Sequence, residues 1–459
     1  MQILQGEHKA CSKSGSIVEE RKSRMNLQQF IRKYEGAGIV SRQEEARVVL
    51  DEFRQGLEGK KVIIYGAGIL GKSVANILDY LKIEVSFVLD RKHEIQSKEF
   101  HVPVYAPEYM LEYHDIANAE VLLAVNQQIA EEVIRQYRDW DCLIDFTYLP
   151  EKIQNVLKSS ICTRKLLAGE FDPLSCFECG IVDNGCEVFY QYGKKCIGKE
   201  EAPETSKIEG LGVIMGQVCT LNCKHCNESL PYFKRQGTGF EKKEDILSGL
   251  ELLTRACGVI GHIELVGGEP FLHPELADIL KGILKLDIGV VQIFTNGTVV
   301  PGDEVCEVLA NKRIVVYISN YERVLHDTFK QNRDRMQEKF VQYGVIHELG
   351  RSKSWMDFAS FDEIDETDEE WRNQYENCGM NKCHRLYKGH LFGCPHHYGG
   401  TVRGFIDIKD SVDIHRYSAT ELAEVLRHFR EEPCMACKRC KLPFHAPFVE
   451  DAIQLGDRE

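Results

Sequence analysis

Residues 216–227 read GQVCTLNCKHCN, and their reading decides the fold. Three cysteines, Cys219, Cys223 and Cys226, stand at C-x3-C-x2-C, close enough for one loop to wrap an iron–sulfur cubane. A 4Fe-4S cluster takes four thiolates, so a three-cysteine loop leaves one iron without a protein ligand. Such an iron is a Lewis-acid position open to the amino and carboxylate groups of a ligand, as the open position of a catalytic zinc is to its water. Packing cysteines or a zinc knuckle compete as readings of three cysteines alone, and the downstream sequence weighs against both.

Downstream, HIELV (262–266) runs into Gly267, Gly268, Glu269 and Pro270. The glycine pair lets backbone approach a ligand closely, and the acid and proline fix the turn. The run VVQIF (290–294) ends in Thr295, Asn296 and Gly297, and VVYIS (315–319) ends in Ser319 before Asn320. Helical patterns near 246–253, 274–284 and 304–310 alternate with these runs. Alternation of this kind implies parallel strands with outer helices, and ligands bind at the strand ends of such α/β barrels.

The loop, the GGEP turn and the polar strand ends together resemble the radical SAM superfamily over about residues 207–350. The resemblance implies a partial (β/α)6 TIM-type barrel with Cys219, Cys223 and Cys226 as cluster ligands. It implies that Gly267 to Glu269, in the turn closed by Pro270, face the methionine moiety of S-adenosylmethionine. Thr295, Asn296 and Ser319 would lie near its ribose, and His225 would replace the usual aromatic residue beside the adenine. An electron from flavodoxin or ferredoxin would cleave the cofactor's carbon–sulfur bond, giving methionine and a 5'-deoxyadenosyl radical that takes a substrate hydrogen.

Further on stand Cys378, Cys383 and Cys394, then Cys434, Cys437 and Cys440 in PCMACKRC. Paired cysteines from two separated segments are metal-site spacing. They resemble the SPASM/Twitch extensions of the same superfamily, which implies an auxiliary 4Fe-4S cluster; with no cysteine after Cys440, one such cluster is expected. The preferred ligands are Cys378, Cys394, Cys434 and Cys437, with Cys383 and Cys440 as substitutes. Beside the substrate such a cluster would take an electron from a substrate radical, ligate the substrate, or brace the fold. A further group, Cys176, Cys179, Cys186 and Cys196, precedes the barrel, and its spacing leaves zinc, an Fe-S cluster and no metal all open.

Nearer the start, KVIIY (61–65) feeds a turn in which Gly66, Gly68 and Gly71 match GxGxxG, and Asp90 ends the next apolar run. These are the parts of a dinucleotide fingerprint: a tight turn, close approach to pyrophosphate at a helix start, and an acid for a ribose hydroxyl. The stretch also resembles the Rossmann-like domain found beside sugar C-methyltransferases and nucleotide-sugar enzymes, where the turn need not hold NAD. NAD, a nucleotide-sugar, or an empty architectural turn are the alternatives. Before it, Leu27, Phe30, Ile31, Val48, Val49 and Phe53 lie on apolar stripes of helical period.

The domains expected are therefore a helical lead-in (1–57), a Rossmann-like domain (58–158), a Cys-rich linker (159–206), the barrel (207–350) and the auxiliary-cluster region (351–459). At 28% charged and 43% hydrophobic residues, the 459-residue chain has the composition of a soluble globular protein. Its formal charge of -14 argues against nucleic acid as a partner. No apolar run approaches the roughly 18 residues of a membrane span, and no secretory signal is visible, which gives a cytoplasmic reading. The expected activity is hydrogen abstraction from a nucleotide-linked sugar or similar small polar substrate, followed by oxidation or epimerisation. A peptide-modifying maturase and a non-catalytic Fe-S electron carrier are the rival readings.

Overall fold

The apolar runs at 61–65, 260–266, 288–295 and 314–318 all become strands in the computed structural model, which describes residues 26–96, 100–112, 118–137, 144–176, 186–199, 208–236, 239–350, 355–357, 360–376, 378, 380–381, 383–429, 432–442 and 446–456. The chain forms two units, Met1–Ala168 and Gly169–Glu459.

In the first unit, β1 (Lys61–Tyr65), β2 (Val85–Leu89), β3 (Val104–Tyr105), β4 (Ala119–Leu123) and β5 (Ile144–Tyr148) pair in parallel in the order β3-β2-β1-β4-β5. The order reverses direction at β1, so β1 and β4 flank a topological switch point, the usual ligand position of a doubly wound sheet. Helices Leu27–Tyr34, Gln43–Gly56 and Glu151–Ala168 share one apolar core with this sheet, so the lead-in packs as part of the unit and the last helix carries it past residue 158. On the second helix Ala46, Val49, Leu50 and Phe53 are buried, whereas Val48 faces outward. The 3.6-residue period places Leu50, not Val48, beside Phe53 and Ala46.

In the second unit, β6 (Ile208–Ile214), β7 (Ile260–Val266), β8 (Ile288–Thr295), β9 (Ile314–Ile318) and β10 (His347–Leu349) run parallel in sequence order. After the short β11 (Trp355–Met356), β12 (His384–Tyr387) adds a sixth parallel strand on the far side of β6, and β13 (His390–Phe392) and β14 (Val412–Asp413) extend that edge antiparallel. The mixed α/β class with a parallel sheet is the one the alternation of runs and helices implies. Its sixth parallel strand, however, comes from beyond residue 350. A last strand, β15 (Phe448–Val449), pairs with β11.

Strand alternation sorts the two faces of this sheet. Ile263, Leu265, Val291, Ile293, Ile314, Val316 and Ile318 pack with Leu250, Leu253, Ile279, Ile283, Leu309, Met336 and Phe340 of the flanking helices. Each such side chain, fully buried, stabilises the fold by about 1.5–3 kcal/mol. The alternate positions His262, Glu264, Gln292, Phe294 and Tyr317 lie on the other face. There the helix Glu187–Cys196, in a stretch without clear sequence periodicity, packs Phe189 5.0 Å from the His262 ring. It approaches so closely that a Cβ on Gly193 would stand 2.3 Å from the Gly261 carbonyl oxygen.

Candidate active site

The three-cysteine loop lies between β6 and the helix Leu230–Gln236, and the turn after β7 is bonded to its start. Met215 N–H donates to Val266 O, Gly268 N–H to Gly216 O and Glu269 N–H to Val218 O, each at 2.8 Å. Gly267 has φ +115°, and a Cβ on Gly268 would stand 1.9 Å from Val218 O. The glycine pair is therefore required by the backbone of the cysteine loop itself as well as by anything bound above it.

Cys219, Cys223 and Cys226 line one cavity of about 520 Å3 with Gly267, Gly268, Thr295, Asn296, Ser319 and His225. Burial pushes the Cys219 thiol up to about 11 and raises those of Cys223 and Cys226 as well. Buried thiols of this kind become ligands only when a cationic centre stabilises their thiolates, which is what iron does. Donors already point at two of the sulfurs: Leu221 N–H and Asn296 Nδ2 reach Cys219 Sγ at 3.4 and 3.5 Å, and Gln454 Nε2 reaches Cys223 Sγ at 3.2 Å. The donor set thus fits a three-thiolate cluster.

Glu269, expected to face the methionine moiety, is not among the residues that line the cavity, and neither is Pro270. The Glu269 carboxylate accepts from Phe271 N–H at 3.2 Å, Thr295 Oγ1 at 2.8 Å and Asn296 N–H at 2.9 Å, tying the end of β7 to the end of β8. It is 2% exposed, and burial outweighs these three donors to push its pKa up to about 7. His225 Nδ1 lies 3.1 Å from Asp357 Oδ2. Sequence reasoning missed Tyr321, Trp355, Met356, Glu228 and Asp451, which also line the cavity. Asp451 is paired with Arg323. Among the described residues no lysine or arginine lines the cavity.

Glu228, part of the cavity wall, also belongs to a buried charge cluster. Arg385 of β12 reaches Glu228 at 3.5 Å, Glu264 at 3.4 Å and the Cys383 sulfur at 3.1 Å. Cys383 immediately precedes β12, two residues before Arg385, and the alternation of extended backbone puts the two on one side. Cys383 is thereby turned to the guanidinium. Cys378, Cys394, Cys437 and Cys440 instead line a second, smaller cavity, and Cys434 lies 3.9 Å from Cys437. Burial first, then neighbouring Cys394, Cys378 and Cys434, raise the Cys440 thiol. The geometry therefore groups Cys440 with the preferred set and draws Cys383 away from it. Met380 lines both cavities.

Of the group preceding the barrel, Cys176 and Cys186 are buried, and Cys179 lies outside the described residues. Cys186 caps the start of the helix that Cys196 ends, which separates them by about 15 Å at 1.5 Å per residue. One ion cannot bind both.

In the first unit, Gly66 has φ +107°, and a Cβ on Gly71 would stand 1.8 Å from Gly66 O, so these two glycines serve the turn's own packing. Gly68 starts the helix Ile69–Tyr80 with open space around it. Asp90, expected at a ribose hydroxyl, accepts from Ala67 N–H through Oδ2 and from Lys92 N–H through Oδ1, both at 2.7 Å.

The radical SAM superfamily profile matches residues 213–333. No curated protein matches the chain. Among solved structures, SuiB of Streptococcus suis bound to precursor peptide SuiA is 15% identical, over 49% of this chain and 47% of SuiB, with a TM-score of 0.27. BtrN in complex with AdoMet and 2-DOIA is 16% identical over 54% of this chain and 98% of BtrN, with a TM-score of 0.34. The FeFe-hydrogenase maturase HydG from Carboxydothermus hydrogenoformans is 19% identical over 48% of this chain and 49% of HydG, with a TM-score of 0.23. The chain spans about half the length of SuiB.

Proposed function

We propose that the chain, whose residues 213–333 match the radical SAM superfamily, cleaves S-adenosylmethionine reductively and abstracts a hydrogen from a substrate held in the 520 Å3 cavity. The observation that carries this reading is the convergence of Cys219, Cys223 and Cys226 with Gly267, Gly268, Thr295, Asn296 and Ser319 on one cavity. Bound there, a cubane with one open iron supplies the electron for the cleavage. The chain's own groups position the reactants: the β7 and β8 turns form a polar wall, and Tyr321, Trp355 and Met356 supply apolar surface that excludes water.

The substrate we favour is a small polar one whose reacting part carries hydroxyl or amino groups. Glu228 and Asp451 are the acidic residues of the wall, each paired from outside it with Arg385 or Arg323, and among the described residues no lysine or arginine lines the cavity itself. A diphosphate would find no counter-charge there, so a nucleotide-linked sugar would place only its sugar inside. To the second thiol-lined cavity, which shares Met380 with the first and at about 20 Å3 would have to open to admit a cubane, we assign an auxiliary 4Fe-4S cluster; Cys378, Cys394, Cys437 and Cys440 would hold it, and it would supply an acceptor for an electron from the substrate, which favours net oxidation over epimerisation. Flavodoxin or ferredoxin would provide the first electron. In the other unit we assign a Rossmann-like domain with a nucleotide at the open helix start of Gly68; binding should be lost in Gly68→Trp, and an affinity unchanged by that substitution would leave the turn an architectural one.

The central test is release of 5'-deoxyadenosine by anaerobically reconstituted protein reduced in the presence of S-adenosylmethionine. Cys223→Ala should abolish it while iron at the second site stays. Iron binding without any such product would favour an electron carrier. Hydrogen transfer to the cofactor from a peptide, and not from sugars, would favour a maturase.

A further inference from the structure

The segment 451–455 is bonded to the cysteine loop along its length. Lys224 N–H donates to Ile453 O and Leu455 N–H to Asn222 O, both at 2.8 Å, so the two stretches pair as a short antiparallel bridge centred on Cys223 and Gln454. Ala452 is fully buried beside Leu221, Cys223 and Leu325, with φ +50°, a conformation that a side-chain-bearing residue keeps only where its surroundings impose it. Arg323 holds the neighbouring Asp451 in an ion pair.

Gln454 sits at the centre of this bridge. Its Oε1 accepts from Asn222 N–H at 2.7 Å, and its Nε2 donates to Ala452 O at 2.6 Å and Cys223 Sγ at 3.2 Å. The amide's orientation follows from chemistry: a backbone N–H can bond only the oxygen, so the nitrogen faces the sulfur. We propose that Gln454 is a positioning residue for the iron–sulfur centre, fixing the loop at Asn222 and donating a hydrogen bond to the Cys223 sulfur that makes the cluster easier to reduce. An N–H donor at a ligand sulfur withdraws charge from it, and reduction adds charge, so the bond favours the reduced state. The donor is neutral and comes from a part of the chain 231 residues from the sulfur. The inference rests on the reading of Cys219, Cys223 and Cys226 as cluster ligands.

The test compares wild type with Gln454→Glu and Gln454→Met. Glutamate keeps an acceptor for Asn222 N–H and loses the donor to sulfur; methionine loses both. A redox titration of the reconstituted protein, followed by the EPR signal that changes on adding S-adenosylmethionine, reads the loop cluster apart from any auxiliary one. Both variants should shift the oxidised-to-reduced ratio at a fixed potential by about tenfold toward oxidised, which is about 59 mV lower for one electron. Hydrogen exchange at the Asn222 and Leu455 amides should stay protected in Gln454→Glu and speed up in Gln454→Met. A wild-type potential in Gln454→Glu, with that protection intact, overturns the proposal. Iron and EPR signal unchanged in the triple variant Cys219→Ala/Cys223→Ala/Cys226→Ala would instead overturn the cluster reading beneath it.

Discussion

Substituting Gly268 with alanine tests whether the turn after β7 and the cysteine loop are one packed unit. A Cβ there stands 1.9 Å from Val218 O, and ordinary contact begins at 3.4 Å, so the carbonyl must retreat by about 1.5 Å. That retreat breaks the 2.8 Å bond from Glu269 N–H to Val218 O, and Val218 adjoins Cys219. Overpacking of this kind costs about 1–3 kcal/mol and the lost hydrogen bond about 1 kcal/mol more, roughly 3 kcal/mol together. At roughly 2–4 °C per kcal/mol for a domain of this class, the thermal midpoint of the second unit should fall by about 6–12 °C. The control is Gly302→Ala, at φ -66° with nothing within 4 Å of the new Cβ. It should cost less than about 1 kcal/mol, the difference between glycine and alanine at a helix start. The assays are calorimetry of both variants and iron bound after anaerobic reconstitution, which should fall only in Gly268→Ala. A midpoint within 2 °C of wild type together with full iron would refute the account of the glycine pair.

Glu269 predicts a pH dependence. Its folded pKa is raised by burial from 4.5 to about 7, so its favourable contribution is complete below 4.5 and is lost as pH rises through 7. The stability of wild type minus that of Glu269→Gln should therefore narrow between pH 5 and 8 by about 2–4 kcal/mol, and a difference constant with pH would contradict the burial argument. Arg385→Met leaves Glu228 and Glu264 without their counter-charge and should cost about 3–5 kcal/mol in denaturant unfolding, with part regained in the double variant Arg385→Met/Glu228→Gln. Iron at the second site should fall in Cys440→Ala and stay in Cys383→Ala; the reverse pattern would move Cys383 into the ligand set.

What the sequence makes legible is what it keeps local. Three cysteines within eight residues announce a cluster loop, and HIELV, VVQIF and IVVYI read as strands because β-branched and other apolar residues recur at every second position, Ile263 and Leu265, Val291 and Ile293, Ile314 and Val316. Contacts between distant segments leave no such mark. Gln454 reaches Cys223 across 231 residues, and nothing near either predicts the other. Glu269 sits beside a glycine pair that suggests a ligand, yet donors from the end of β8 capture its carboxylate. Cys383 was separable from the other cysteines in principle: once HRLY is recognised as a strand, extending its two-residue period back by one residue puts Cys383 on the side of Arg385. The strand is only four residues long, too short for its pattern to stand out.

The place of β12 has a consequence for biosynthesis. One edge of β6 is covered by β12, whose first residue lies 170 positions beyond the end of β6. At roughly 5–20 residues per second, a nascent chain carries β6 uncovered on that side for about 10–30 s. During that interval an apolar strand offers unpaired backbone groups to any neighbouring chain, the geometry from which edge-to-edge aggregation starts. Expression at lower temperature with chaperones that shield nascent strands should raise the yield of folded protein, and cutting the chain after residue 350 should produce aggregates.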